Sequence, residues 1–222
     1  IKSSAASDVY KRQMAKLGIV NGGADGYFRP NDPITRAEIA AMIARCDGAY
    51  YTGTSTVFSD TYGHWAAGYI DRAYELGWIN GYPDGTFKPN KPITRAEFAA
   101  IAARFDNDGD KTAAKFSDIA THWAKDEISI AANHGWIKGY EDGSFKPDQK
   151  ITRAETMTLV NRVLKRLPET KDDLHKDMKT WPDNQNESAW FYLAVQEATN
   201  SHTYQMGKRC LLYTSPSPRD RQ

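Results

Sequence analysis

The pentapeptide Ile-Thr-Arg-Ala-Glu stands three times in this chain of 222 residues, at 34–38, 93–97 and 151–155. Self-similarity at a fixed period means one supersecondary unit, copied and stacked against its neighbours, and few folds accommodate that. Each pentapeptide closes a longer shared stretch: GIVNGGADGYFRPNDPITRAE from Gly18, GWINGYPDGTFKPNKPITRAE from Gly77 and GWIKGYEDGSFKPDQKITRAE from Gly135. FSDTYGHWA (58–66) and FSDIATHWA (116–124) precede the second and third copies, and the first has no such block before it.

The second copy shows how one unit reads. HWAAGYIDRAYELGWI puts Trp65, Tyr69, Ala73 and Leu76 at spacings of four and three, a helical apolar stripe. Gly77 then closes the helix and Trp78 folds back onto its last turn; Gly18 with Ile19 and Gly135 with Trp136 repeat that stop. NGYPDGTFKPNKP is too dense in Gly, Pro, Asn and Asp for regular structure. Its fixed length in all copies marks a packed loop, anchored by Phe87, Phe28 and Phe145.

The pentapeptide itself starts a second helix. Thr94 is the N-cap and Glu97, three residues on, completes a capping box; Thr35 with Glu38 and Thr152 with Glu155 hold the same positions. Ile93 and Phe98 are placed as a hydrophobic staple, and Phe98, Ile101, Ala102 and Phe105 form the apolar stripe. The other copies use Ile39, Met42, Ile43 and Cys46, or Thr156, Leu159, Val160 and Val163. In the third copy the stripe runs on to Leu164 and Leu167 before Pro168 stops it. The expected fold is therefore all-α, built of helix–loop–helix units. Each is too small to stand alone, so the second helices supply a shared centre.

Both ends look foreign to this pattern. Residues 3–13, SSAASDVYKRQ, and 210–220, CLLYTSPSPRD, resemble one-frame translations of the transposase adapter used in shotgun sequencing. On that reading 1–13 and 210–222 are adapter-derived, and about Met14 to Arg209 is an internal fragment of a longer protein. The first repeat occupies 14–48 without its first half, the second 57–106 and the third 115–167. Residues 168–209 hold a charged linker and TWPDNQNESAWFYLAVQEATN, in which Trp181, Asp183 and Trp190 match the FSD…HWA block. This is either a truncated fourth unit or a helix that completes the assembly, and the half unit is the favoured reading. Any groove that needs the missing helix of the first copy is not expected to form normally. LPET (167–170) resembles a sortase signal, but Lys171 replaces its glycine and no apolar tail follows.

Composition removes several functions. Lys and Arg number 29 against 28 Asp and Glu, which argues against a nucleic-acid surface or a polybasic membrane contact. No apolar run approaches the roughly 20 residues that span a bilayer. Cys210 falls in the adapter-like end, so Cys46 stands alone and offers neither a disulfide framework nor a thiolate metal site. His64 and His122 lack a second ligand at metal spacing and read as helix-entry residues. Asp84 and Asp142, imaginable as glycosidase carboxylates, precede glycine in turns and read as turn formers. DNDGD (106–110) resembles the start of a calcium loop, yet Lys111 and Ser117 occupy its glycine and glutamate positions. No nucleophile elbow, P-loop or zinc signature is present, so neither catalysis, cofactor nor metal is expected.

Capping leaves the arginine unexplained. Arg36, Arg95 and Arg153 occupy the first helical position, where the macrodipole is positive and a cation is mildly disfavoured. One reading is an anion site, with free N–H groups, dipole and guanidinium converging on a carboxylate or phosphate. The other is a salt bridge to a neighbouring acid, or an exposed solubilising charge. Tyr82 and Tyr140 in the adjacent loops offer a flat face for a sugar ring, or simply pack the loop; Gly23 is their counterpart in the first copy.

Taken together, FSD…HWA, the G-W-I-x-G-Y-x-D-G-x-F-x-P loop and ITRAE resemble S-layer homology domains over residues 14–167, completely in copies two and three. The resemblance implies tandem repeats around a central three-helix bundle with peripheral prongs and inter-repeat grooves. It implies an extracellular, cell-wall or S-layer location and non-catalytic anchoring to secondary cell-wall polysaccharide or a peptidoglycan-linked acidic glycan, often pyruvylated. It further implies that the motif's arginine, here Arg36, Arg95 and Arg153, contacts the acidic polymer, whose ketal-linked pyruvate is a carboxylate. The alternatives are the targeting arm of a surface enzyme, such as a wall or polysaccharide hydrolase, and a purely structural repeat that self-assembles.

Overall fold

The computed structural model describes residues 20–46, 57–104, 109–174 and 178–200, together with the backbone of 202–206 and 211–216. Its helices are α1 Arg36–Cys46, α2 Ala67–Glu75, α3 Arg95–Ala103, α4 Lys125–Asn133, α5 Arg153–Val163 and α6 Tyr192–Thr199. A 3-10 turn spans Lys171–Asp173. Beyond the helices, β1 His202–Met206 pairs antiparallel with β2 Leu211–Pro216, and β2 lies in the adapter-like stretch. The helix stop at Gly18, the side chain of Cys46, the end of the second stripe at Phe105 and the start of DNDGD fall outside the described residues.

The pentapeptide begins a helix each time. Thr94 Oγ1 accepts the Glu97 N–H at 3.2 Å and Glu97 accepts the Thr94 N–H at 2.9 Å. Thr152 with Glu155, and Thr35 with Glu38, make the same box. The two remaining N–H groups of each first turn go to the next repeat. Arg36 and Ala37 donate to the carbonyls of Lys91 and Pro89, Arg95 and Ala96 to Gln149 and Pro147, Arg153 and Ala154 to Asp32 and Pro30. The isoleucines ahead of them close a cycle: Ile34 N–H to Ile151, Ile151 to Ile93 and Ile93 to Ile34, at 3.0–3.1 Å. Helix N-termini that would otherwise hold four orphan donors each become the joint between units.

Behind that joint the three ITRAE helices form the centre. α3 buries all of its residues from Phe98 to Ala103 and α1 nearly all of its length. The outer helices pack as prongs, α2 against α1, α4 against α3 and α6 against α5. Apolar residues of every unit join one core, in which Phe28, Phe87 and Phe145 are fully enclosed loop anchors.

The outer helices start later than the spacing predicts. α2 begins at Ala67 and buries Ala66, Ile70 and Ala73, so Trp65 stands one residue off the apolar face and is 57 % exposed. His64 Nδ1 accepts the Ala66 N–H at 3.2 Å and His122 Nδ1 accepts that of Ala124 at 3.1 Å, which makes both histidines helix-entry residues. The stops are glycine stops: Gly77 and Gly135 sit at φ 73° and 70°, and the Trp78 and Trp136 N–H groups return to Ala73 and Ala131. α5 stops without one. Lys165 takes φ 56°, and Arg166 folds its N–H back to Asn161, so the helix ends at Val163 and Leu167 is 51 % exposed instead of extending the stripe.

The FSD block clamps the loop. Asp60 accepts the N–H groups of Phe87 and Lys88, and Asp118 those of Phe145 and Lys146. Lys88 and Lys146 lie at φ 56°, a left-handed conformation that costs a residue with a Cβ about 1–2 kcal/mol, and the carboxylate offsets it. The rings of Phe58 and Phe116 pack 5.3 Å from Phe87 and Phe145, over Gly81 and Gly139, where any Cβ would collide.

The loop of the first repeat has the same clamp, supplied by the far end of the chain. Asp183 accepts the N–H groups of Phe28 and Arg29, Arg29 lies at φ 57°, and Trp181 packs 5.8 Å from Phe28 over Gly22. Residues 181–200 therefore do for the first loop what 58–75 do for the second. The groove expected to be defective there is present, because an Asp and an aromatic from another part of the sequence fill the same positions.

Candidate functional site

Each arginine reaches across the joint into the loop of the next repeat. Arg36 donates from Nε to the Phe87 carbonyl at 2.8 Å and from Nη2 to that of Asn80 at 2.6 Å. Arg95 makes the same pair with Phe145 and Lys138, and Arg153 with Phe28 and Asn21. Phe87, Phe145 and Phe28 lie 4.5–4.8 Å below the three guanidinium groups. The remaining edge meets a carboxylate in two joints: Arg153 Nη1 holds Glu38 at 2.6 Å and Arg95 Nη1 holds Glu155 at 3.4 Å. In the joint of Arg36, Lys91 holds Glu97 at 3.2 Å. Arg36 is only 5 % exposed, and burial pushes its pKa down.

These bonds change the basis on which an anion could be held. The first-turn N–H groups are not free, because the neighbouring loop's carbonyls and the capping box take them. What faces solvent is a guanidinium edge, aromatic surface and further cations. Tyr82 lies 4.8 Å from Arg36 and accepts from Lys91 at 2.8 Å, a hydrogen bond that raises the pKa of that lysine. Tyr140 lies 4.9 Å from Arg95 and accepts from Gln149 at 3.0 Å.

Among the described residues, two of the joints line cavities. One, of about 200 Å³, is lined by Arg95, Lys138, Tyr140, Glu155, Arg162 and Trp190. The other, of about 330 Å³, is lined by Arg153, Arg29, Asp32, Glu38, Trp65 and Asn90, among others. The structure thus brings Arg95 and Tyr140 together, and puts the capping glutamates on the groove walls. The sequence pattern missed Trp65, Trp190 and Arg162. The signal for the tryptophans was their recurrence in HWA and SAW, and the spacing read Trp65 into the helical stripe, one residue off. Among the described residues no cluster of three or more His, Cys, Asp or Glu could hold a metal, and no helix is long and apolar enough to cross a membrane.

The comparisons agree with this architecture. The S-layer homology domain profile matches residues 12–40, 57–99 and 115–157. Cell surface glycoprotein 1 of Acetivibrio thermocellus is 39% identical over 201 residues, 83% of this chain and 8% of that protein. The cellulosome-anchoring protein of the same organism is 36% identical over 84% of this chain and 43% of its own length. The amylopullulanase of Thermoanaerobacterium thermosulfurigenes is 36% identical over 75% of this chain and 9% of its own. The chain spans less than half the length of each of these relatives. With three matched repeats, their capping boxes and their inter-repeat joints all in place, this chain belongs to the S-layer homology domain family.

Proposed function

We propose that the chain anchors a cell-surface protein to the bacterial cell wall by holding acidic sugars of a wall polysaccharide where its repeats meet. The observation that carries this reading is the Arg95 cavity, where a guanidinium, a second arginine and two aromatic side chains line one opening. Its volume, below the roughly 300–1,000 Å³ of drug-sized sites, suits one or two sugar residues of a polymer. Aromatic faces pack against sugar C–H groups and the cations select a carboxylate such as ketal-linked pyruvate. Arg36, Arg95 and Arg153 are the arginines of this reading, with Tyr82 and Tyr140 as the flat surfaces beside two of them. The names of the relatives, a cellulosome-anchoring protein and a cell surface glycoprotein among them, support a wall-bound, extracellular location. A second reading, that the chain is the wall-targeting arm of a surface enzyme, is favoured by the match to a short part of an amylopullulanase.

The test is sedimentation of the chain with purified wall polysaccharide before and after removal of pyruvate. Retention that falls on depyruvylation, and again in Arg95→Ala with Arg153→Ala, is the expected result. Retention indifferent to pyruvate would remove the carboxylate from the reading without any question of misfolding. The arginine variants are followed by thermal melting as well, because each side chain also ties two repeats together.

A further inference from the structure

We infer that α5 is a selective seat: buried polar side chains along the α5–α6 seam admit residues 181–200 and refuse the two FSD segments of the same chain. The need for selection follows from the repeats. The outer helices α2, α4 and α6 pack on α1, α3 and α5 in the same way, and Asp60, Asp118 and Asp183 clamp their loops with the same pair of bonds. Apolar contact is non-directional, so an apolar seam tells such similar helices apart poorly. An outer helix in the wrong seat would leave the Phe28 loop without the aspartate that holds it.

The three seams differ in chemistry. The ninth residue of the inner helix is Ala44 in α1 and Ala103 in α3, both buried, but Asn161 in α5. Asn161 Nδ2 donates to the Ala194 carbonyl of α6 at 2.9 Å. The sixth residue of the outer helix is Arg72 in α2 and Ile130 in α4, but Glu197 in α6. Glu197 is 1 % exposed; its carboxylate accepts from Arg166 Nε at 2.7 Å and its carbonyl accepts from Nη2. The left-handed Lys165 that ends α5 is what turns Arg166 onto this seam.

Those differences decide which helix fits. With α2 in the seat, Arg72 would take the place of Glu197 and bring two guanidinium groups together out of water. With α4 there, Ile130 would leave Arg166 buried without a carboxylate. Removing one partner of a buried charged pair is the costly change, whereas removing both is close to neutral. The pair therefore adds little stability and much discrimination. The seam also carries polarity that the fold does not satisfy. Among the described residues, the buried Asn161 Oδ1 and both ends of the buried Gln196 amide have no hydrogen-bond partner. In α4 the residue at the place of Gln196 is Ser129, which donates to the Lys125 carbonyl and accepts the Ala114 N–H. A seam built for stability alone would be apolar at Gln196; a polar group kept at a cost is how related helices are told apart.

The experiment uses the whole chain and reads amide exchange at Phe28 and Arg29, whose N–H groups Asp183 holds when 181–200 is seated. Glu197→Arg copies α2 and Glu197→Ile copies α4, and each should speed exchange at both amides by at least about tenfold. Arg166→Glu should restore protection to Glu197→Arg, and Arg166→Leu should restore it to Glu197→Ile. The Phe87 and Phe145 amides report whether a variant opens as a whole, and in that case the two rescues decide. The rescued pair Arg166→Leu with Glu197→Ile keeps stability but loses selection. Refolded from denaturant, it should melt near wild type yet give two populations at Phe28 and Arg29, protected and unprotected, where wild type gives one. Unchanged exchange in Glu197→Arg, failure of Arg166→Glu to rescue it, or a single protected population in the apolar pair overturns the inference.

Discussion

The carboxylate of Asp183 accepts the main-chain N–H of Phe28 at 2.9 Å across 155 positions of sequence, and its second oxygen accepts that of Arg29. Asp60 and Asp118 do the same within their own repeats, across 27 and 28 positions. Removing Asp183 therefore tests whether the C-terminal half unit and the first loop form one structure. Asp183→Ala leaves two donors short of their acceptor and a left-handed Arg29 without support, a cost of about 1–3 kcal/mol. Hydrogen exchange should accelerate at the Phe28 and Arg29 amides and stay slow at Phe87 and Phe145. Unchanged protection at 28 and 29 would show that residues 181–200 are not what holds that loop.

The turn aspartates make stability depend on acid. Asp84 accepts from the Thr86 hydroxyl and N–H and pairs with Lys88, which lowers its pKa from 3.8 to about 2. Asp142, with Ser144, and Asp110, with Thr112, are lowered for the same reason. A carboxyl whose folded pKa is depressed stabilises the fold above its unfolded value, and that contribution is lost as pH falls through the folded value. For Asp84 the window is pH 3.8 down to about 2. Chemical denaturation across that range should show wild-type stability falling with a steeper slope than in Asp84→Asn. Identical slopes would mean that the Asx turn at 84–86 persists in the unfolded chain.

Much of this is legible in the amino-acid sequence. Thr94 and Glu97, three apart, declared a helix start, and the glycine before Trp78 declared a helix stop, because both signals are local chemistry. Trp65 was misplaced because period alone cannot separate a residue in the first helical turn from one in the turn before it. The end of α5 was missed because Lys165, not a glycine, adopts the left-handed stop. The arginines' partners were out of reach for another reason. They are carbonyls of Phe87, Phe145 and Phe28 in the adjoining repeat, and a carbonyl leaves no mark in side-chain pattern.

The two arginine–glutamate contacts differ in length, so they should differ in coupling. A double-mutant cycle of Arg153→Gln with Glu38→Gln should return a coupling of about 1–2 kcal/mol, since Arg153 is largely buried and the contact is short. The cycle of Arg95→Gln with Glu155→Gln, across 3.4 Å, should return less than about 1 kcal/mol. Glutamine keeps an oxygen for the capping box, so helix initiation is not removed along with the charge. Equal couplings would deny that Arg95 is the looser arginine.

A last test concerns the seam between α5 and α6, where Arg166 donates from Nε to Glu197 at 2.7 Å and from Nη2 to the Glu197 carbonyl at 3.1 Å. Both side chains are almost completely buried, and Asn161 Nδ2 reaches the Ala194 carbonyl across the same seam at 2.9 Å. Glu197→Ala strips the carboxylate from a buried guanidinium, which costs about 3–5 kcal/mol, far more than an exposed pair. Replacing both partners, Arg166→Met with Glu197→Leu, removes the desolvated charge as well and should recover most of that loss. The expected melting temperatures thus fall sharply in the single variant and return in the double. A Glu197→Ala variant as stable as wild type would mean that α6 is not docked on α5 in solution, and the groove wall carrying Trp190 would go with it.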